Sequence, residues 1–292
     1  MLAAAAALAA LLAGADPDAA PTPPPTTTAP TARAPGPPPP GPAAVKVDLA
    51  AAKLRWDGLG GLSSGGSTRL LADYPAQQRS DFLDLLFNKK GGAAFQILKT
   101  EIGGDGDSSY GSESSTMHTA NRSDDNFDEG YETWLLKEAK ARNPAIPTYC
   151  LSWTSPAWTA SDTGPNRTFM NAVGAQYHAE YMRGVRDHLN VSFDYAGVWN
   201  EQSLTSPTWH DSYVAQLRAA MDGAGFKSTK IVCSDGDASV IDIMQTDDVL
   251  RKAVDIVGIH WGRERDPSSP PGLLRWHSLG CSRSRPACSS PP

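Results

Sequence analysis

From Leu54 onward, short apolar runs alternate with longer stretches in which apolar side chains recur every three or four positions. The short runs predict strands and the longer stretches amphipathic helices, so the repeating unit is βα and the sheet is parallel. The strand-like runs are Leu54–Leu62, Ala93–Ile102, Pro147–Trp153, Asp194–Trp199, Lys230–Asp235 and Val254–His260. Helices are predicted through Phe82, Leu85 and Leu86, over Tyr131–Arg142, over Met170–Leu189, over 211–224 with Val214, Leu217 and Met221 on one face, and around Val240–Lys252. This rhythm predicts an α/β fold, a (β/α)8 TIM-barrel core that is incomplete at about six of eight units, with its chemistry on the loops that follow the strands. A doubly wound sheet is the alternative. Its nucleotide signature is missing, because Gly58–Gly66 matches neither a G-x-G-x-x-G fingerprint nor a P-loop, and these glycines read as a tight turn. The polar segment from Ile102 to Asp128 is too long for a mere connector and marks a functional or disordered loop.

The flanks differ in composition. Residues 1–15 are an apolar run ending Ala13-Gly-Ala15, which fits the small-x-small rule of a cleaved signal peptide, though no basic residue precedes it. An alanine-rich low-complexity start is the other reading. Residues 16–44 are almost wholly Pro, Ala, Thr and Gly and read as a linker. Residues 45–262 hold the partial barrel, and 263–292 form a divergent Arg/Ser/Cys/Pro tail in which no strand-like run is expected. The abrupt change near Gly262 reads as a truncated or misread gene model.

The net charge of −6 gives no basic footprint for nucleic acid, and no apolar run is long enough to span a bilayer. Cys150 and Cys233 fall inside predicted core strands and read as buried reduced thiols. Cys281 and Cys288 lie in the tail without partners at zinc spacing, so no metal site is expected. The sequons at Asn121, Asn166 and Asn190 would accept glycans in a secretory protein.

The chemistry centres on Asp194-Tyr-Ala-Gly-Val-Trp-Asn-Glu201, an apolar strand running straight into an amide and a carboxylate. Cleaving a glycosidic bond through a covalent intermediate takes two carboxyl groups, one donating a proton to the leaving oxygen and one attacking the anomeric carbon. Glu201 is placed to be the donor, and Asn200 to hold a sugar hydroxyl. Trp153 and Trp158 bracket a Ser-Pro turn after the third run, and His260-Trp261 ends the sixth. Aromatic rings thus gather at strand ends, where they pack against sugar rings or serve as core.

Taken with Trp56-Asp-Gly-Leu-Gly, Ser80–Phe87, Ile97-Leu-Lys-Thr-Glu-Ile-Gly-Gly-Asp-Gly106 and Leu135–Pro144, this strand resembles the galactosylceramidase (galactocerebrosidase) family of glycoside hydrolases. The resemblance implies a barrel catalytic core, a galactosylceramide-type glycolipid substrate, a lysosomal or secreted location and a lipid-presenting activator protein as partner. It implies no cofactor. Position by position it makes Glu201 the acid/base, Asn200 the sugar-binding amide and Trp153 a wall of the galactose pocket. Ser109 falls where the family has a galactose-contacting Thr. The family's nucleophile sits in a Ser-Ser-Glu-Asp-like segment after the seventh strand, and no such segment exists here. Glu264 and Asp266, the only acids after the sixth run, read as charges in the tail. The expectation is therefore a galactosylceramidase-like chain that is inactive as it stands, because enzymes whose groups act as a unit lose nearly all turnover with one of them. A related barrel β-glycosidase of the glucosylceramidase type and a non-catalytic sugar- or lipid-binding pseudoenzyme are the alternatives.

Overall fold

The computed structural model describes residues 57–108, 111–160, 169–201, 210–236, 239–259 and 274–277. Strand β1 (Gly60–Ser63) is followed by helices α1 (Ser67–Ala72) and α2 (Ala76–Phe87), then β2 (Ile97–Ile102), the hairpin β3 (Gly106–Ser108) and β4 (Gly111–Glu113), α3 (Tyr131–Arg142) and β5 (Thr148–Ser152). Next come α4 (Ala172–Leu189), β6 (Tyr195–Gly197), a π-helical turn (His210–Val214) leading into α5 (Ala215–Gly223), β7 (Lys230–Gly236), α6 (Val240–Thr246), α7 (Asp248–Ala253), β8 (Ile256–Ile259) and β9 (Leu274–His277).

One parallel sheet takes the order β1-β2-β5-β6-β7-β8-β9, with the β3–β4 hairpin apart from it. That is the order along the chain. A doubly wound sheet reverses direction at a switch point, whereas here each unit adds its strand on the same side, as in a (β/α) barrel. The sheet also curls. Strands three places apart in a flat sheet are about 14 Å apart, with side chains on one face standing side by side. Lys99 of β2 nevertheless reaches Asp235 of β7 at 2.9 Å, which requires the two strands to face one another across an interior. The incomplete (β/α)8 core expected from the hydrophobic pattern is the fold observed.

Alternation along the strands builds two apolar layers. Ile97, Tyr149, Leu151, Val232 and Ile256 point inward with Trp153 and Tyr195. Their neighbours Leu98, Ile102, Cys150, Ala196, Ile231, Cys233 and Val257 point outward, into a cluster with Leu136, Tyr181, Leu217 and Leu250 of the helices. Burial on both faces is why the runs read as continuously apolar. Cys150 and Cys233 are buried free thiols, as expected. Helix α3 has the predicted limits. Helix α4 starts two residues later than Met170, because the Asn171 side chain accepts from the N–H groups of Val173 and Gly174 at 2.8 and 3.0 Å and caps it there.

Two expectations are corrected. The turn expected of Gly58–Gly66 is confined to Gly65 and Gly66, whereas Gly60 and Gly61 lie in β1 as the strand-like run requires, where a Cβ would come within 2.6 Å of the Ile97 carbonyl oxygen or 2.7 Å of the Phe95 ring, so small residues let β1 close on β2. The tail, expected to carry no strand, supplies β9, paired in parallel with β8 from Ile256↔Leu274 to Ile259↔His277. Leu274 and Trp276 alternate with Arg275 and His277, too short a pattern to stand out among Pro, Ser and Arg. No helix among the described residues is long and apolar enough to cross a membrane. The leader, the linker, Ser109, Asn166, His260, Trp261, Glu264, Asp266, Cys281 and Cys288 lie outside the described residues.

Candidate active site

The C-terminal ends of β5, β6 and β7 bring the predicted residues together. Past β6, Val198 N–H donates to Val232 O at 3.2 Å and Asn200 N–H to Ser152 O at 2.9 Å, so Asn200 is pinned beside the last residue of β5 and next to Trp153. Glu201 then turns away with φ +50° and is exposed. The Asn200 amide, oriented by its partners, donates from its nitrogen to Asp235 Oδ2 at 3.2 Å and accepts at its oxygen from Trp153 Nε1 at 2.7 Å.

Asp235 reaches this place through a backbone irregularity. Ile231 and Cys233 face the helices, and strict alternation would send Asp235 the same way. The register slips between Ser234 and Gly236 against β8, and Asp235 adopts φ +59°. A bulge of this kind re-aims a side chain, and this one turns the carboxylate inward. There both of its oxygens accept from Lys99 Nζ at 2.9 Å. The ammonium also lies 5.0 Å from the centre of the Tyr149 ring and 5.5 Å from that of Trp153, and within electrostatic reach of Glu201. Burial pulls the Lys99 pKa below the usual lysine range, while Asp235 pulls the other way.

Outside this knot opens a cleft lined by Asp105, Asp107, His118, Trp153, Phe169 and Trp199. One wall is polar: His118 Nδ1 pairs with Asp105 Oδ2 at 2.8 Å and Nε2 with Glu129 Oε2 at 3.3 Å, and the Asp105 bond leads in raising its pKa. The other is aromatic, with Phe169 stacked on Trp199 at 6.2 Å and 17°. Among the described residues no group of three or more His, Cys, Asp or Glu is arranged to hold a metal ion.

A second set of acids is buried at the ends of β2 and β4 and the start of α3. Glu101, Glu113 and Glu132 are 0%, 2% and 1% exposed. Glu132 Oε1 accepts from Thr68 Oγ1 at 2.6 Å and Ser63 Oγ at 3.1 Å, and Glu113 Oε1 accepts from Glu132 N–H at 3.0 Å. Both oxygens of Glu101 and one each of Glu113 and Glu132 lack a well-formed hydrogen bond. Burial pushes Glu101 up to about 8, Glu113 up to about 7 and Glu132 well above the carboxylate range, and Glu113 repels both Glu101 and Glu132.

Of the residues singled out from the sequence, Trp153 and Asn200 are hydrogen-bonded to each other, Glu201 follows them, turned outward but within electrostatic reach of Lys99, and Ser109, between β3 and β4, falls outside the described residues. Trp158 does not join them: it packs edge-on against Tyr177 at 5.8 Å and donates to Met117 O at 3.0 Å, as core. Lys99, Asp235, Asp105, His118 and Trp199 were not singled out. The available signal was a charge at an inward position of an apolar strand, Lys99 in Ile97-Leu-Lys-Thr-Glu-Ile102; for Asp235 alternation along Lys230–Asp235 points to the opposite face.

A singly wound parallel sheet with a carboxylate just past a strand's C-terminal end is the arrangement of barrel glycoside hydrolases. Solved structures of that fold are similar: the catalytic domain of GH30 xylanase C from Talaromyces cellulolyticus has a TM-score of 0.56 at 20% identity, covering 70% of this chain and 53% of that one. SrfJ from Salmonella typhimurium has a TM-score of 0.58 at 19% identity, covering 70% and 50%. Residues 56–279 match the model of glycosyl hydrolase family 59, and the chain belongs to that family. The match includes β9. Galactocerebrosidases are similar in sequence, that of Danio rerio at 44% identity over 207 residues and that of Homo sapiens at 40% over 209, each covering 70% of this chain. The putative galactocerebrosidase of Caenorhabditis elegans is 34% identical over 231 residues, 76% of this chain. The chain spans about a third of the length of these relatives, 30%, 29% and 33% respectively.

Proposed function

We propose that this chain carries the acid/base half of a retaining β-galactosidase site for galactosylceramide-type glycolipids, an activity of sphingolipid breakdown. The observation that carries the reading is Glu201, exposed at the end of the β6 segment, next to an Asn200 amide held between Trp153 and Asp235. Glu201 gives its proton to the leaving oxygen as the bond to the anomeric carbon breaks, and Asn200, Trp153 and Ser109 hold the galactose. The cleft supports an amphiphilic substrate, with Asp105 and His118 on the sugar side and Phe169 and Trp199 available to apolar groups. The names of the similar galactocerebrosidases favour galactose over glucose.

Residues 267–292 contain no Asp or Glu. None of these residues can therefore supply the carboxylate that attacks the anomeric carbon, and the 292 residues by themselves are read as lacking turnover. A lysosomal or secreted location after signal cleavage, glycans at the sequons and an activator protein that presents the lipid complete the reading. An acidic compartment suits the buried Glu101, Glu113 and Glu132, which keep their protons there.

Azide tests it. With phenyl β-galactoside, azide attacks the anomeric carbon in place of the absent carboxylate, the bond to the phenol oxygen breaks, Glu201 protonates that oxygen, and α-galactosyl azide forms. Glu201→Gln slows this by about 100-fold. Azide product formed equally fast by the variant overturns the role of Glu201, and hydrolysis without azide overturns the missing nucleophile.

A further inference from the structure

The Lys99–Asp235 ion pair takes no part in the proton transfer, yet Lys99 is 4% and Asp235 0% exposed, and it costs free energy to bury. We propose that Lys99 and Asp235 are positioning residues whose ion pair fixes the direction of the Asn200 amide, and so the polarity that the site presents to a sugar hydroxyl. The consequence for sugar rests on the reading of Asn200 given above; the effect on the amide does not.

An ionised carboxylate only accepts hydrogen bonds, and an indole N–H only donates. Asn200 stands between one of each. Only one orientation satisfies both: nitrogen to Asp235 at 3.2 Å and oxygen to Trp153 Nε1 at 2.7 Å. The reverse sets oxygen against carboxylate and N–H against N–H. The choice depends on Asp235 presenting an acceptor oxygen to the amide. Lys99 donates to both of its oxygens at 2.9 Å and so fixes the carboxylate facing the amide as an acceptor. The same ammonium lies near the Trp153 ring centre at 5.5 Å, so the cation fixes the amide's donor side through Asp235 and braces the indole on its acceptor side. The amide is left with one N–H and one oxygen lone pair for a ligand, in a fixed order. Asp235 can take this part because the bulge after Ser234 turns it inward.

The test uses the 15N-labelled 292-residue chain, with the Trp153 indole and Asn200 amide resonances assigned through Trp153→Phe and Asn200→Asp. Lys99→Met removes the donor that holds both Asp235 oxygens in place, so the carboxylate swings from Asn200 and the amide is released to turn. Asp235→Asn, which keeps the shape and tolerates φ +59°, turns its own amide oxygen to Lys99 and its nitrogen to Asn200, with the same result. Each single variant moves the Trp153 indole proton upfield as its hydrogen bond is lost, and weakens binding of free galactose by about tenfold, the scale of one hydrogen bond. In the double variant Lys99→Met/Asp235→Asn the new amide is free to accept from Asn200, so the indole resonance returns toward its original position and galactose binding recovers. An indole resonance unmoved by Asp235→Asn, or a double variant no closer to the parent than the singles, overturns the proposal. If the indole responds as described but the parent binds no galactose, the positioning role stands and the sugar reading fails. Galactose bound by the parent with an indole indifferent to both variants sinks the positioning role and leaves the sugar reading intact.

Discussion

Lys99 and Glu101 stand two residues apart on the same face of β2, both buried, and the fold handles their charges in opposite ways. Lys99 meets a carboxylate that accepts from it with both oxygens, and two aromatic rings. Glu101 meets two further acids, Glu113 and Glu132, with neither of its oxygens in a well-formed hydrogen bond. In the first region the burial cost is offset by a counter-charge, so the ions persist and orient their neighbours. In the second the cost is avoided by keeping protons on the acids. Adjacent parts of one curled sheet thus differ in kind: a fixed electrostatic frame around Asn200, and a set of acids that retain their protons.

The largest effect that could break this comparison is on stability against pH. Glu101 at about 8 and Glu113 at about 7 lie above the roughly 4.3 of an unfolded Glu. The folded chain therefore keeps protons that the unfolded chain releases. Its stability is complete below about pH 4 and is lost as pH rises through 5 to 8. Each unit of pH over which one carboxyl stays protonated only in the folded state removes about 1.4 kcal/mol. Urea denaturation at pH 5, 6, 7 and 8 should show an unfolding free energy falling steadily by several kcal/mol in all, and a flat profile would falsify the uncompensated cluster.

Next in size is the loss of one partner of the compensated pair. Asp235→Ala leaves Lys99 buried without its counter-charge and should lower stability at pH 5 by about 3–5 kcal/mol, measured in the same denaturation. A loss under about 1 kcal/mol would mean that water reaches the ammonium and the two regions do not differ in kind. Glu101→Gln is the opposite experiment. It removes a carboxyl that must ionise at high pH, so it should stabilise the chain at pH 8 by about 1–3 kcal/mol, the scale of a buried unsatisfied polar group, and do little at pH 5. Destabilisation at both values would show that Glu101 has an ionic partner after all.

The two regions were unequally legible in the sequence. The strand rhythm is written locally, residue by residue, and Glu201 with Asn200 and Trp153 is readable because each follows directly on an apolar run. The Lys99–Asp235 pair is not local. Its members are 136 positions apart and meet only because the sheet curls and because a slipped register at Ser234 turns Asp235 inward. Alternation alone would have sent Asp235 to the helices. The acid cluster depends in the same way on the β3–β4 hairpin, folded from a segment that reads only as a long polar loop, to bring Glu113 to Glu101 and Glu132. Trp158 shows the converse limit: composition put it with Trp153, but the short 3-10 turn at Ala157–Thr159 carries it into the core.

The smallest effect probes the charge of the cluster most directly. Thr68 Oγ1 donates to Glu132 Oε1 at 2.6 Å and also contacts Ser63 Oγ, and Thr68 is 4% exposed, so Thr68→Val removes this donor to Glu132, and the Ser63 contact with it, with almost no change of volume. A bond to a neutral carboxyl is worth about 0.5–1.5 kcal/mol, and one to an ionised carboxyl about 1.5–3 kcal/mol. The cluster as described holds Glu132 protonated at pH 5. The variant should therefore lose about 1 kcal/mol at pH 5 and more at pH 8 to the extent that Glu132 ionises there, because the lost donor would have steadied the charge. Because that donor favours the ionised form, its removal also raises the Glu132 pKa further and steepens the fall in stability with pH. A loss above about 2 kcal/mol already at pH 5, with no further change at pH 8, would show Glu132 charged in the fold throughout, and its region would then resemble that of Lys99 rather than contrast with it.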